Sequence, residues 1–371
     1  MTMTSMPRRV VRVTERDSLE PIGPGEAVRL YIDHREPDLS EKSRINHEYR
    51  LESFAVWCRE NDIENLNNLT GRDLHRFRVD RRRGDVGDYD EVSPITLRGI
   101  LQTLRVFLEW CASVDGVEQG MREKVLLPEV EREDESRDEY LNDEAAEAIL
   151  DYLDNFRYAS REHVILGLLW NTGMRLGALR ALDVEDVDLE EPCLELRHRP
   201  DSGTPLKNKK GAVRTIAVGE YYAQVLEDYL EFTRDDVVDD AGRRPLITSA
   251  QGRLTESPIR RLVYQWTRPC MVGECPHDED PNTCEFMTRR AARDCPSSRS
   301  PHGVRRGSIT SHLRDGTPRE VVSDRMNVSP DVLDQHYDET TERERMRIRR
   351  EFLQQRQSRS SDSTSHYDNN Y

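Results

Sequence analysis

After Ser93-Pro94 the apolar residues Leu97, Ile100, Leu101, Leu104, Phe107, Leu108 and Cys111 recur at steps of three and one, the spacing of one helical face. A stripe this long must be buried, and a strand would scatter it over both faces of a sheet. The same periodicity appears more briefly at Leu51, Phe54, Ala55 and Cys58, and Thr70 has the character of an N-cap before GRDLHRFRVDRRR. The spacing therefore predicts a domain of about four helices over residues 22–116, after a loose N-terminus at 1–21. The run EVEREDESRDEY has charge without apolar periodicity, so residues 117–139 read as a linker. Helices resume after Asn142 and near 161–172, 221–233, 258–267 and 303–313. Between them CLELRHR, a basic KNKKG turn and VRTIAV have the alternation of a β-hairpin. The expected fold is mainly α with a small β-hairpin or sheet: a second, α+β domain at 140–355 and a Ser/Asp/Asn-rich disordered tail at 356–371.

The chain has 371 residues and a formal net charge of -16, unexpected for a nucleic-acid binder, which needs local positive charge to displace counterions from phosphates. Lysine usage changes the meaning of that number. Among 55 Lys and Arg residues the lysines are Lys42, Lys124, Lys207, Lys209 and Lys210, a bias expected of a halophilic source whose surfaces are acidic throughout. Net charge then says little about the partner. MTMTSMPRRVVRVTERDS has no apolar core of a signal peptide, and the apolar run His163–Trp170 is too short to span a bilayer, so a cytoplasmic location away from membranes is expected.

Cys58, Cys111 and Cys193 stand apart and read as buried free thiols. Cys270, Cys275, Cys284 and Cys295 crowd into one insertion at about 270–295 with His277 among them. In a reducing compartment such a cluster points to a structural zinc, with free or redox-active thiols as the alternative.

Three stretches carry candidate chemistry. Arg175 follows Gly173 between two apolar helical segments, where an arginine needs a carboxylate or a phosphate as partner. Three lysines fall in PLKNKKGAVRTIAV. His302 and Arg305 are three apart, on one face of a helix, and Tyr337 ends DVLDQHYD. Singly, each has an ordinary reading: an ion pair, a solvated turn, a surface pair and a packed tyrosine; His312 reads as structural.

Their order and spacing resemble the tyrosine recombinase (phage integrase) family. NTGMRLGALRALDVEDVDL is similar to its first arginine box, HGVRRGSITSHLRDGTPREVVSDRMNVSPDVLDQHYD to its second box and nucleophile, and ITLRGILQTLRVFLEWC to the end of its core-binding domain. The resemblance covers about residues 25–355 and is nearest to integrase-like proteins of halophilic archaea. It implies a helical, SAM-like core-binding domain joined to an α+β catalytic domain, acting on double-stranded DNA as a homo-tetramer with no catalytic cofactor. It further implies that Tyr337 forms a 3'-phosphotyrosine, that Arg175 and Arg305 hold the phosphate, and that His302 assists. Lys207, or else Lys209 or Lys210, would protonate the leaving oxygen, and Lys209 and Lys210 would touch DNA.

Two positions depart from the family pattern. Ala178 replaces the usual Glu or Gly, a packing matter. Val328 replaces the usual His or Trp nine residues before the tyrosine and removes a hydrogen-bond donor, leaving Asn327 to take that part. An integrase-derived DNA-binding protein that no longer cleaves is the alternative reading, and a topoisomerase-like enzyme a third.

Overall fold

The computed structural model describes residues 19–129 and 140–336, with Met346 and Arg350. It divides into two compact units, 1–137 and 138–371.

The first unit is built on α1 (Pro24–Arg35), α2 (Glu41–Glu60), α3 (Gly71–Arg83) and α4 (Pro94–Ser113). Their starts are fixed locally. Ser40 and Ser93 accept hydrogen bonds from Ser43 N and Thr96 N, and Thr70 forms a reciprocal capping box with Asp73. The stripe on α4 meets Phe54, Trp57 and Phe77 in one aromatic core, and Trp57 Nε1 donates to Asp80 Oδ2 at 2.8 Å, so the indole is buried without an unmet donor. The same core takes in Val117, Met121 and Val125, each 2% exposed or less. The linker expected from 117 therefore begins later: turns as far as Leu127 pack onto the helices, because three apolar side chains four residues apart find places there.

The second unit opens with α5 (Asp143–Phe156), which Asn142 caps at Ala145 N, and α6 (Arg161–Thr172). Val164 to Leu169 are all buried, so α6 is the central helix of this core. α7 (Leu176–Ala181) leads into an antiparallel sheet of β1 (Val187–Asp188), β2 (Cys193–Leu196) and β3 (Arg214–Ala217), with Leu194 opposite Ile216. Then follow α8 (Glu220–Asp228), a π turn at Tyr229–Thr233, β4 (Thr248–Ser249), β5 (Gly252–Arg253), α9 (Glu256–Trp266), α10 (Pro301–Arg314), α11 (Arg319–Met326) and α12 (Pro330–His336).

The hairpin differs from expectation. β2 and β3 pair, but residues 197–213 between them form an excursion rather than a tight turn. Its base is pinned by charge. Arg199 donates to Asp186 at 2.6 and 2.8 Å, and Arg243 to Asp183 at 3.1 Å; both carboxylates are 1% exposed. Buried carboxylates need such partners, and here the partners come from two separate segments. Cys58 and Cys111 are buried as expected, whereas Cys193 is only half-buried on β2.

Candidate active site

α6 stops at Gly173, whose φ of 56° closes the helix in the left-handed region. A side chain there would meet Met326 Sδ at 2.6 Å, so glycine also lets the end of α11 approach. The chain then turns into extended backbone, and Arg175 becomes the residue before α7 with its guanidinium half-buried. Arg175 Nη1 donates to Asn327 Oδ1 at 3.1 Å, and burial holds its pKa below the usual arginine range.

Arg305 reaches the same place from α10. It is 4% exposed, and its Nη1 donates to the carbonyls of Gly173 and Met326, the second at 2.7 Å. Its Nη2 donates to Asn327 O at 3.4 Å. The two arginines, remote in sequence, thus meet on one residue, Asn327, the left-handed C-cap of α11 at φ 52°.

The lysine-bearing excursion is fastened there too. Asn208 Nδ2 donates to Asn327 Oδ1 at 2.5 Å, and Asn327 Nδ2 donates to Gly211 O at 2.7 Å. Lys207, Lys209 and Lys210 are exposed, Lys209 with φ 50°. Lys207 differs from the other two in its reach. Its charge reaches the imidazole of the exposed His302, whose pKa is held below the ordinary histidine value by desolvation first and then by Arg305, Arg306, Lys207 and Arg175. Arg175, Arg305, His302 and Lys207 therefore share one electrostatic neighbourhood.

That shift has a sign that can be checked. His302 takes up a proton less readily in the folded chain than in the unfolded one, where its pKa is about 6.5. Stability is full above that pH and falls as pH drops through it, since the unfolded state then binds more protons. From pH 8 to 5 the melting midpoint of wild type should fall relative to that of His302→Gln. The difference isolates His302 from His47 and His163, which burial shifts the same way. Parallel curves would refute this.

Arg214 was not singled out by the sequence. On β3 its Nε donates to Arg325 O at 2.8 Å, and burial and the charge of Arg175 push it down to about 10. With Arg175, Asn208, Arg319 and Asn327 it lines a cleft of about 840 Å³. An arginine at the edge of a basic turn carries no sequence signal separating it from a solvated neighbour. Only the pairing of β3 and the approach of α11 bring it in.

The remaining candidates lie elsewhere. Val328 is 8% exposed in an apolar cluster with Ile309, Val322, Met326 and Leu333, and Ala178 is also buried. His312 Nδ1 lies 2.8 Å from Ser308 O on its own helix. Tyr337 falls outside the described residues, as does the charged stretch after it apart from Met346 and Arg350. In the cysteine segment His277 Nε2 is 2.9 Å from Ser297 Oγ and Cys270 Sγ is 3.8 Å from Met287 Sδ. Among the described residues no group of three or more His, Cys, Asp or Glu is arranged to hold a metal ion.

Arg175, Arg214 and Arg319 line one open cleft, and guanidiniums gathered in this way suit an anion such as a phosphate. Residues 139–273 match the phage integrase family, a span holding Arg175 and the three lysines. The chain is 26% identical over 242 residues to the tyrosine recombinase XerC of Escherichia coli O157:H7 (strain EC4115 / EHEC), covering 63% of this chain and 74% of that protein. XerC of Staphylococcus saprophyticus is 25% identical over 217 residues, 54% of this chain and 62% of that protein. In fold it is similar to the Tn1549 transposon integrase in complex with a circular intermediate DNA, with TM-score 0.60, 14% identity and coverage of 87% and 99%. It is likewise similar to a lambda integrase dimer bound to a COC' core site, with TM-score 0.55, 13% identity and coverage of 87% and 97%. The family match and the named relatives support the tyrosine recombinase family, and the mainly helical, two-unit fold is that of these integrases. No helix among the described residues is long and apolar enough to cross a membrane.

Proposed function

We propose that this chain is a site-specific DNA recombinase that cleaves and rejoins double-stranded DNA through a 3'-phosphotyrosine at Tyr337. The observation that carries the reading is the meeting of Arg175, Arg305 and the lysine-bearing excursion on Asn327, ten residues before Tyr337. Attack by the Tyr337 hydroxyl on phosphorus forms the Tyr–P bond and breaks the bond to the 5'-oxygen. Charge gathers on the nonbridging oxygens as this happens, and preorganised cations stabilise it. Arg175 takes that part from the cleft, and Arg305 holds the turn at 173 against the turn at 326–327 and adds its positive charge. His302, whose pKa desolvation and its cationic neighbours lower, accepts the phenolic proton or orients the phosphate. Lys207 protonates the leaving 5'-oxygen. The phosphotyrosine stores the energy of the broken ester, so a second strand's 5'-hydroxyl can reverse the step without metal or nucleotide.

Lys209 and Lys210 are assigned to backbone phosphates, which position the protein without reading sequence. The helical unit serves as core-binding domain, and recombination joins two sites held by four protomers in the cytoplasm. The lysine-poor, acidic composition fits a halophilic source, with kinship to integrases of halophilic archaea. A nicked suicide substrate with wild-type protein in high salt tests the reading. A covalent protein–DNA band on a denaturing gel supports it. A gel shift without that band, on a substrate bearing the correct site, transfers it to a DNA-binding protein that no longer cleaves.

The cysteine segment is proposed to hold a structural zinc on Cys270, Cys275, Cys284 and Cys295, with His277 as alternative ligand. The support is a charge problem. Arg268 is 1% exposed, and it donates to the carbonyls of Gln265 and Phe286 and to the Met271 sulfur. A zinc thiolate centre nearby is negatively charged and would balance that buried cation. The ligands would have to close in on the ion as it binds. Elemental analysis of purified protein should give one zinc per chain, and chelation should lower the melting midpoint. Folded, metal-free protein overturns the assignment.

A further inference from the structure

We propose that Asn327 is a positioning residue that registers the lysine-bearing excursion on the arginine centre, so that Lys207 stands at the leaving oxygen. The proposal rests on the recombinase reading above and deepens it. Residues 197–213 are pinned at their base by Asp183 and Asp186, far along the chain from the lysines. Leu206 and Ala212 are buried on either side of the lysines, and between them one amide ties the excursion to the arginine centre. Its oxygen takes Arg175 Nη1 at 3.1 Å and Asn208 Nδ2 at 2.5 Å, and its nitrogen donates to Gly211 O at 2.7 Å.

Oxygen and nitrogen thus face different partners, which only an amide can serve together. Aspartate would lose the donor to Gly211, and a hydrophobic residue both ends. The two excursion contacts flank Lys209 and Lys210 and abut Lys207. An exposed lysine on a long loop would otherwise sample many positions, and general acid catalysis needs its proton within hydrogen-bond reach of the oxygen. Asparagine is also among the side chains that tolerate the left-handed backbone at φ 52°. The amide acts through the Gly211 carbonyl, Asn208 and the Arg175 guanidinium and does not itself touch the reacting atoms.

Asn327→Gly removes the amide and suits the positive φ, so the turn itself is preserved. Single-turnover cleavage is measured on two suicide substrates, one ordinary and one with sulfur in place of the bridging 5'-oxygen at the scissile phosphate. A thiolate leaves without needing a proton, so a defect confined to the general acid disappears on the sulfur substrate. Asn327→Gly should be about 10- to 100-fold slower than wild type on the oxygen substrate and within about threefold on the sulfur one. Lys207→Ala should show the same pattern, and the double variant should be no slower than Lys207→Ala alone, as expected of residues acting as a unit. An Asn327→Gly defect equal on both substrates, or none on either, overturns the proposal while a wild-type adduct leaves the recombinase reading intact. Absence of a wild-type adduct on both substrates brings down that reading and the proposal with it. If Asn327→Gly does not fold, Asn208→Ala at an exposed position cuts the loop side of the same contact and should give the same rescue.

Discussion

Replacing Tyr337 by phenylalanine should abolish the covalent protein–DNA band and leave DNA binding within about threefold of wild type. The change deletes one oxygen and keeps the ring, so packing loses little, whereas the reaction loses the atom that bonds to phosphorus. Removal of a nucleophile costs at least about 10⁴-fold in comparable covalent enzymes, beyond the range of a gel assay. Binding should survive because affinity for DNA comes from many phosphate contacts, which a phenol hydroxyl does not supply. A phenol is a weak nucleophile near neutrality, its unperturbed pKa being about 10, so it depends on the cations gathered at Asn327. The same nicked substrate, resolved on a denaturing gel beside a native gel shift, reads both quantities at once. A band that persists in Tyr337→Phe would move the nucleophile to another residue and take the family's second box with it.

How far the chain could be read without its structure depended on the range of the interactions. The helix starts at Thr70, Ser93 and Asn142 were legible because a cap joins residues three apart. The α4 stripe was legible because its burial needs no particular partner. The hairpin of β2 and β3 was legible, but the length of its connection was not, because Asp183, Asp186, Arg199 and Arg243 hold its base and nothing local signals that pairing. Val117, Met121 and Val125 did carry a signal, a spacing of four, but they sit in turns within charged sequence that masks it. At the site, Arg175, His302, Arg305 and the lysines stood out by residue type and order. Arg214 and the amide contacts of Asn327 did not, since both depend on where α11 ends against β3 and Gly173. The sequence offers Asn327 only as a substitute donor for the one lost at Val328. Its backbone conformation is what turns its side chain into the junction.

Gly307→Ala should be the most damaging single methyl group in the catalytic unit. Gly307 lies on α10 two residues past Arg305, and a Cβ there would fall 1.9 Å from the Leu141 carbonyl oxygen and 2.9 Å from Trp170. The first of these is backbone, held where it is by Leu141 N donating to Gly303 O at 3.2 Å, so no rotamer change can relieve the clash. Either α10 moves away from α6 or the segment before α5 detaches. Ser308 Oγ donates to Trp170 O on the same contact face, which ties the first outcome to loss of a buried hydrogen bond. Helix propensity favours alanine by about 1 kcal/mol, and overpacking costs about 1–3 kcal/mol or more where backbone must shift, so the clash decides the sign. For a unit of this size each lost kcal/mol lowers the melting midpoint by about 2–4 °C, and a fall of about 5 °C or more is expected. Because α10 carries both His302 and Arg305, any protein that does fold should also cleave more slowly at temperatures well below its melting point. A Gly307→Ala variant with wild-type melting and wild-type cleavage would mean that α10 does not pack on Leu141 and Trp170 as described. The seating of Arg305 beneath Gly173 and Asn327 would then need another support.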